Sequence, residues 1–476
     1  MWRRYGVGGG QTASSTLPLL CFALRLILEC MSPPSPPDGP APKRQLTLFD
    51  STCIIVGIII GAGIYQTAPD VAKGAGCWWG VLAIWLVGGL LSLCGAFAYA
   101  ELATAYPRAG GDYVYLSRAY GRWAGFLFGW IQLAVVRPGD VAVMAFAFAT
   151  YFRTIYDPLA GSAWPHAQQL YAAAAVAFFT AVNIAGVSEG KWAQNLLTVV
   201  KALGLLAIVV VALIGPRPAV VAQTVTPFPL GVALILVLFT YGGWNEMAYV
   251  AAEVKHPKRN IVRSLILGTV AVTLIYLMLN AAFIYTLGYA GLATSGAVAT
   301  DAVSTVFPAI GGRLVSLLVC ISALGAVNGL IFTGARISYA VGTDHRAFHV
   351  LGKWNEQTGT PMRALLLQGA LAVVLIAVLG SFVDTILYTA AAVYLFYLAT
   401  SLAAIVLRYK EPHTERPYRI TGYPVTTLVF CAVCAFLIYG AVTYKPLISA
   451  VALAIILLGL PIYWLTNKPD LTNSRR

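Results

Sequence analysis

Charge is scarce in this chain: 10% of its 476 residues are Asp, Glu, Lys or Arg, whereas 59% are hydrophobic. Soluble domains carry about 25% charged residues, so a water-exposed globular fold is excluded. Histidine is scarcer still. His166, His256, His345, His349 and His413 lie in or near loops and form no HExxH set, and the i,i+4 pair His345 and His349 lacks a third ligand. Eight cysteines are present, most of them inside apolar stretches where they act as small hydrophobes. Cys431 and Cys434 make a CxxC with no second pair and no nearby His, so packing is expected there rather than metal or redox chemistry. Without a nucleophile–base pair or a metal cluster, the chain is not expected to be an enzyme or to hold a metal or cofactor. A channel's repeated filter segment is absent, and so are the short alternating runs of a β-barrel.

What is abundant is apolar sequence in long blocks. After residue 48, stretches longer than about 18 residues recur, each long enough to cross a hydrocarbon core of roughly 30 Å. Backbone groups in lipid must bond within their own segment, so these blocks are helices. Twelve spans are expected, at 48–73, 78–104, 122–152, 168–187, 193–215, 229–252, 263–287, 313–341, 362–381, 383–408, 423–443 and 446–467. The net charge of +13 is spread over short loops without interleaved aromatics, which excludes nucleic acid as a partner and favours anionic membrane lipids. Loops after even-numbered spans carry fifteen basic residues, from Arg108 to Arg419, against Arg153, Arg217, Arg313 and Lys445 on the other side. That asymmetry puts both termini in the cytoplasm. Residues 1–45 differ from the rest, with an apolar run from Leu17 to Leu28 interrupted by Arg25, then six prolines between Pro33 and Pro42. They are expected to form a flexible tail rather than a signal peptide, and Met31 offers an alternative start.

Two spans are interrupted. Span 1 contains Gly57, Gly61, Ala62 and Gly63, and span 6 contains Phe239, Thr240, Tyr241, Gly242 and Gly243. A single glycine cluster fits close helix packing. Two of them, five spans apart, fit a pair of five-helix repeats, inverted in the membrane, that each begin with a broken helix. A break leaves N–H groups free at one half-helix end and carbonyls free at the other. Together they suit a zwitterion: a carboxylate on the N–H groups near Gly61, Ala62 and Gly63, and an ammonium on carbonyls near Ile59, Phe239 and Gly242.

At these residues the chain resembles the amino acid–polyamine–organocation superfamily, and within it the L-type amino acid transporters. The likeness covers about 48–467. It is carried by Ile59-Ile60-Gly61-Ala62-Gly63-Ile64, Tyr99-Ala100-Glu101-Leu102, Pro107-Arg108-Ala109-Gly110-Gly111-Asp112-Tyr113, Arg137-Pro138, Phe239-Thr240-Tyr241-Gly242-Gly243-Trp244-Asn245 and Val327-Asn328-Gly329. The resemblance implies an all-α membrane protein with a five-plus-five inverted repeat, discontinuous helices 1 and 6, and two further C-terminal helices. Its parts would be a tail (1–45), a first repeat (46–215), a second repeat (216–408), helices 11 and 12 (409–467) and a short tail (468–476). It also implies an aromatic gate at Phe239 and selectivity positions at Trp244 and Asn245. Ala62 stands where the family often has Ser. The loop from Tyr151 to Gln169 contains no Cys, so the disulfide-linked glycoprotein subunit of the animal members is not expected, and the chain looks like a bacterial member that works alone in the inner membrane.

Lys201 lies deep inside span 5, too far from the ends for easy snorkelling. It matches the family's helix 5 lysine, which implies an ammonium where sodium-coupled relatives hold an ion. That favours a sodium-independent exchanger or facilitator of neutral amino acids; loading and releasing a proton at Lys201 is the alternative, giving a proton-coupled carrier of amino acids or polyamines. Arg137 is expected to form a structural salt bridge. Glu246 fits either a place in the pathway or a pairing with a neighbour. Outside transport the rival is a membrane sensor built on the same fold, though neither terminus is long enough for an obvious signalling domain.

Overall fold

The computed structural model describes residues 42–159, 166–216, 225, 226, 228–379, 382–444 and 446–466. The tail up to residue 41, the C-terminal tail, Arg217 and Lys445 lie outside them. The described chain is helical throughout, with two isolated β-bridges and no strand. Span 1 is two helices, α1 (Leu48–Ile59) and α2 (Gly63–Ala75), bent by 53°. Then come α3 (Trp78–Ala105), α4 (Asp112–Tyr120), α5 (Arg122–Ile131), α6 (Arg137–Ile155), α7 (Ala167–Ala185), α8 (Val187–Ile214) and α9 (Leu230–Thr240). The remainder is α10 (Pro257–Thr294), α11 (Val298–Ser304), α12 (Gly311–Asp344), α13 (Met362–Leu379), α14 (Phe382–Lys410), α15 (Val425–Tyr444) and α16 (Pro446–Thr466). Among the described residues ten helical stretches are long and apolar enough to cross a membrane, eleven with the bent pair, and Met362–Val378 is apolar but shorter.

The surface is the inverse of a soluble protein's. Leu90, Leu203, Val210, Ile214, Val378 and Leu457 are exposed, whereas Lys201, Asp112, Glu253 and Arg336 are buried. An apolar exterior costs nothing against acyl chains, and the polar groups pair inside.

Several boundaries differ from those expected. Span 6 is not one helix from 229 to 252: α9 ends at Thr240, and short 3-10 turns follow at Trp244–Ala248 and Ala251–Glu253. Span 7 runs from Pro257, with non-helical backbone at Gly288, so its apolar core was legible and its ends were not. In span 3 the irregularity precedes the proline: Gln132–Val136 is a π-helical turn, and the Arg137 amide donates five residues back to Gln132. Pro138 has no N–H to give, and the wider turn brings Arg137 inward.

The start of α1 is fixed by a capping box: Thr47 Oγ1 accepts from the Asp50 amide at 3.2 Å, and Asp50 accepts from the Thr47 amide at 2.8 Å. Just before it, the Leu46 amide donates to the Glu253 carbonyl at 2.9 Å, and the Lys255 amide to the Leu46 carbonyl at 2.8 Å. The entrance to span 1 is thereby tied to the exit of span 6.

Candidate binding site at the two breaks

The break in span 1 spares few hydrogen bonds and redirects the rest. In an unbroken helix the amides of Gly61, Gly63 and Ile64 would bond the carbonyls of Gly57, Ile59 and Ile60. Here the Gly61 amide turns back to Ile59 at 2.8 Å, and Ile60 has left helical geometry with ψ of 80°. Side chains from three other spans serve the released carbonyls. Lys201 Nζ donates to Gly57 at 2.7 Å, to Ile60 at 2.9 Å and to the Ser322 carbonyl at 2.9 Å. Ser322 Oγ also donates to Ile60 at 2.9 Å, and the Tyr276 hydroxyl donates to Ile59 at 3.1 Å. On the far side, Ala62, Gly63 and Ile64 head α2, the position at which amides lack an acceptor within their own helix.

Span 6 breaks by a glycine turn. The Gly242 amide donates to Phe239 at 2.9 Å, and Gly243 has φ of 109°, a conformation that a side chain resists. A Cβ at Gly243 would also lie 2.6 Å from the Ile58 side chain, so the two breaks approach each other through this glycine. Gly63 meets span 6 in the same way, with Thr240 Oγ1 3.2 Å from where its Cβ would be. The Tyr276 hydroxyl lies 3.1 Å from the Ile59 carbonyl and 3.5 Å from that of Thr240, one group touching both breaks.

Between them is a cavity of about 140 Å³. Its wall includes Ile59, Gly61, Gly63, Phe239, Gly242 and Trp244, six of the eight residues expected from sequence to bind substrate. Ala62 and Asn245 are not in the wall. Ala62 is fully buried at the head of α2. Asn245 is fully buried behind Trp244, donating to the Tyr249 hydroxyl at 2.8 Å and accepting from Tyr397 at 2.9 Å. Trp244 itself is wedged edge-on against Tyr99 and Phe430, with ring centroids at 5.1 and 5.5 Å. Gly95 makes room for it, since a Cβ there would lie 2.7 Å from the indole.

Glu246 does both things the sequence left open. It lines the cavity and it pairs with Arg137 Nη1 at 2.8 Å, both side chains about 5% exposed. Thr333 Oγ1 donates to the same carboxylate at 2.6 Å, and Arg137 Nε donates to Gln132 at 3.0 Å. Sequence reasoning did not single out Tyr276 or Ser322. Tyr276 and Ser322 are lone polar residues inside apolar spans, a signal that distinguishes them only once the break they serve is known. Among the described residues no group of three or more His, Cys, Asp or Glu is placed to hold a metal ion.

An amino acid permease family model matches residues 46–460. The chain is 31% identical over 456 residues to the large neutral amino acids transporter small subunit 2 of Mus musculus, covering 91% of this chain and 84% of that protein. It is 30% identical to the b(0,+)-type amino acid transporter 1 of Mus musculus, over 85% of this chain and 84% of the relative. To the serine/threonine exchanger SteT of Bacillus subtilis (strain 168) it is 28% identical, over 90% of this chain and 97% of the relative. With the family model spanning both broken helices and these relatives spanning most of its length, the chain belongs to the amino acid permease family, among the L-type transporters.

Proposed function

We propose that this chain is a sodium-independent transporter that exchanges or facilitates passage of neutral L-amino acids by alternating access, with the substrate's charged ends on the two breaks. The observation that carries this is the Lys201 ammonium. It donates to carbonyls that the span 1 break releases, which is the work a bound cation would otherwise do. The amides that head α2, at Ala62, Gly63 and Ile64, then receive the carboxylate, with Gly61 forming the turn that presents them, and carbonyls near Ile59, Phe239 and Gly242 receive the ammonium. Phe239 covers the substrate, Trp244 shapes its side-chain space, and Asn245 acts through Tyr249 and Tyr397. The names of the relatives, a large neutral amino acids transporter and a serine/threonine exchanger, support the neutral substrate class.

The same reading divides the chain into inverted repeats at 46–215 and 216–408, followed by helices 11 and 12, with both termini in the cytoplasm of a bacterial inner membrane. It assigns the chain no disulfide-linked subunit, because the loop after span 3 has no cysteine to offer. The test is reconstitution into liposomes with labelled leucine, serine and threonine, varying internal substrate, sodium and the pH gradient. Uptake that follows internal amino acid and ignores sodium is expected. Uptake that requires sodium, or that follows only the pH gradient, defeats the proposal.

A further inference from the structure

The cavity wall contains two carboxylates, Asp140 and Glu246, and they are in different situations. Glu246 is consumed by Arg137 and Thr333. Arg137 in turn spends its remaining reach on Gln132 and on the ring of Tyr249, 4.8 Å below the guanidinium. Asp140 has no hydrogen bond and no ion pair with any described residue, although it is only partly exposed. With both carboxylates ionised, Arg137, Glu246 and Asp140 carry one net negative charge in a wall otherwise dominated by residues such as Ile58, Val143, Met144, Leu330 and Val433. A carboxylate held among apolar groups without a partner is costly. A zwitterionic amino acid brings no net charge and leaves that cost in place.

The position of Asp140 indicates what would relieve it. Asp140, Val143 and Met144 share one face of α6 by i,i+3 and i,i+4 spacing, and all three line the cavity. Met144 Sδ lies 3.2 Å from where a Gly61 Cβ would be, so this face looks directly at the break in span 1. Asp140 is four residues back along the helix, a rise of about 6 Å from the level of the break. That is the reach of an unbranched four-carbon side chain ending in an amine.

We propose that Asp140 is a specificity residue of the cavity: it receives the side-chain cation of a basic amino acid such as lysine while the substrate's α-groups sit on the breaks, so that the chain accepts basic as well as neutral substrates. The proposal rests on the amino acid reading above. Its chemistry is a charge-assisted hydrogen bond from an ammonium to a carboxylate in a site of low polarity. The apolar part of the wall accommodates the methylenes, which is why neutral aliphatic amino acids fit the same space.

The full-length chain in liposomes tests this with ligands first and a variant second. Labelled leucine uptake is competed by lysine and by norleucine, which matches lysine without its terminal amine. Lysine is expected to compete and to be taken up itself. In Asp140→Asn, the half-inhibiting concentration of lysine relative to norleucine is expected to rise about ten- to hundredfold, the loss of one hydrogen bond to a charged group. Leucine uptake without competition by lysine in the wild type would overturn the proposal and leave the neutral-exchanger reading standing. An unchanged lysine-to-norleucine ratio in Asp140→Asn would also overturn it. So would proton entry with leucine that disappears in Asp140→Asn, because Asp140 would then be neutralised by a proton and not by substrate. No uptake of any amino acid by the wild type would defeat the underlying reading and this inference together.

Discussion

Replacing Lys201 by Met should disable transport with little change in the fold. The ammonium serves three carbonyls, but their dependence on it is unequal. Ser322 lies inside α12, where its carbonyl keeps a helical position, and Ile60 keeps the Ser322 hydroxyl at 2.9 Å. Gly57 has no such reserve: its helical donor, the Gly61 amide, has turned to Ile59. The substitution therefore orphans one buried acceptor, at a cost of about 1–3 kcal/mol. Removing a buried ammonium works in the other direction, because burial of that charge was itself unfavourable. The two terms oppose each other in global stability and do not oppose each other at the break. There the Gly57 carbonyl recovers a donor only if Gly61 returns to helical pairing, which closes the site. A bias of about 1–3 kcal/mol toward the closed backbone lowers the binding-competent population about five- to hundredfold. The assay is exchange in liposomes alongside thermal unfolding of the purified protein. Exchange should fall by that factor while the unfolding temperature shifts by a few degrees at most. Wild-type exchange in Lys201→Met would refute the reasoning. So would a loss of exchange that merely tracks a collapse in unfolding temperature.

Other perturbations follow from the same geometry. Gly63→Leu is expected to abolish substrate binding, measured by protection from thermal unfolding, because its Cβ already meets Thr240 at 3.2 Å and the branch must push span 6 away; unchanged affinity would count against the site. Arg137→Ala or Glu246→Ala alone should each destabilise the protein by about 3–5 kcal/mol by leaving a buried charge unpaired, whereas a double substitution to Met and Leu should recover much of it; additive losses would show that the pair is not coupled. His345, at the end of α12 against the edge of Phe126, is pushed down to about 4 by burial and by Arg122, against the opposing pull of Asp344. Its depressed pKa means that between roughly pH 6.5 and 4 the unfolded chain takes up a proton that the folded chain refuses, so stability falls on acidification by as much as about 3 kcal/mol. His345→Phe should flatten this part of the pH dependence of unfolding, and an unaltered profile would mean that other groups carry it.

The spans were legible because length and apolarity are enforced residue by residue by the bilayer. Nine of the expected spans lie within about three residues of helices such as α3, α7 and α16, spans 5 and 7 begin six residues earlier than expected, and span 6 loses its second half to 3-10 turns. The breaks were also legible, since two glycine clusters recur five spans apart, whereas a single glycine such as Gly95 serves close packing. What the sequence could not give was which groups finish the break. Tyr276 and Ser322 are separated from Ile59 and Ile60 by 217 and 262 residues, and nothing local marks them as donors to those carbonyls. Trp244 and Asn245 are adjacent in sequence, yet one lines the cavity and the other backs it, because a 3-10 turn rotates successive side chains by about a third of a circle. Asp140 was visible as a charge in span 3, but its lack of a partner emerges only when Glu246 is seen to have taken Arg137.

The distribution of the buried ion pairs bears on how such a site could open. On the face bearing the even-numbered loops, Glu101 accepts from Arg408 and lies 3.3 Å from Arg416. Arg336 pairs with Glu253 at 2.8 Å, and Arg118 with Glu411 at 2.9 Å. Each pair joins segments far apart in sequence, and Arg118–Glu411 is half-exposed where Arg336–Glu253 is fully buried. Apolar packing across the same face would be lost outright when water entered, with nothing to replace it. Separated charges are rehydrated, so an ion pair costs much less to part than its burial suggests, provided water reaches both halves at once. The graded burial then orders the events. Of these three, the Arg118–Glu411 pair, held by Tyr106 as well, meets solvent first and loosens at little cost, and the drier two follow once it has let water in. Neutralising Glu411 as Gln should accordingly favour opening toward that face, read as faster labelling of a cysteine introduced at Ser92 in the cavity wall of a chain whose native cysteines, Cys434 of the same wall among them, are replaced by Ser, and slower labelling would reverse the assignment of that pair as an outer latch.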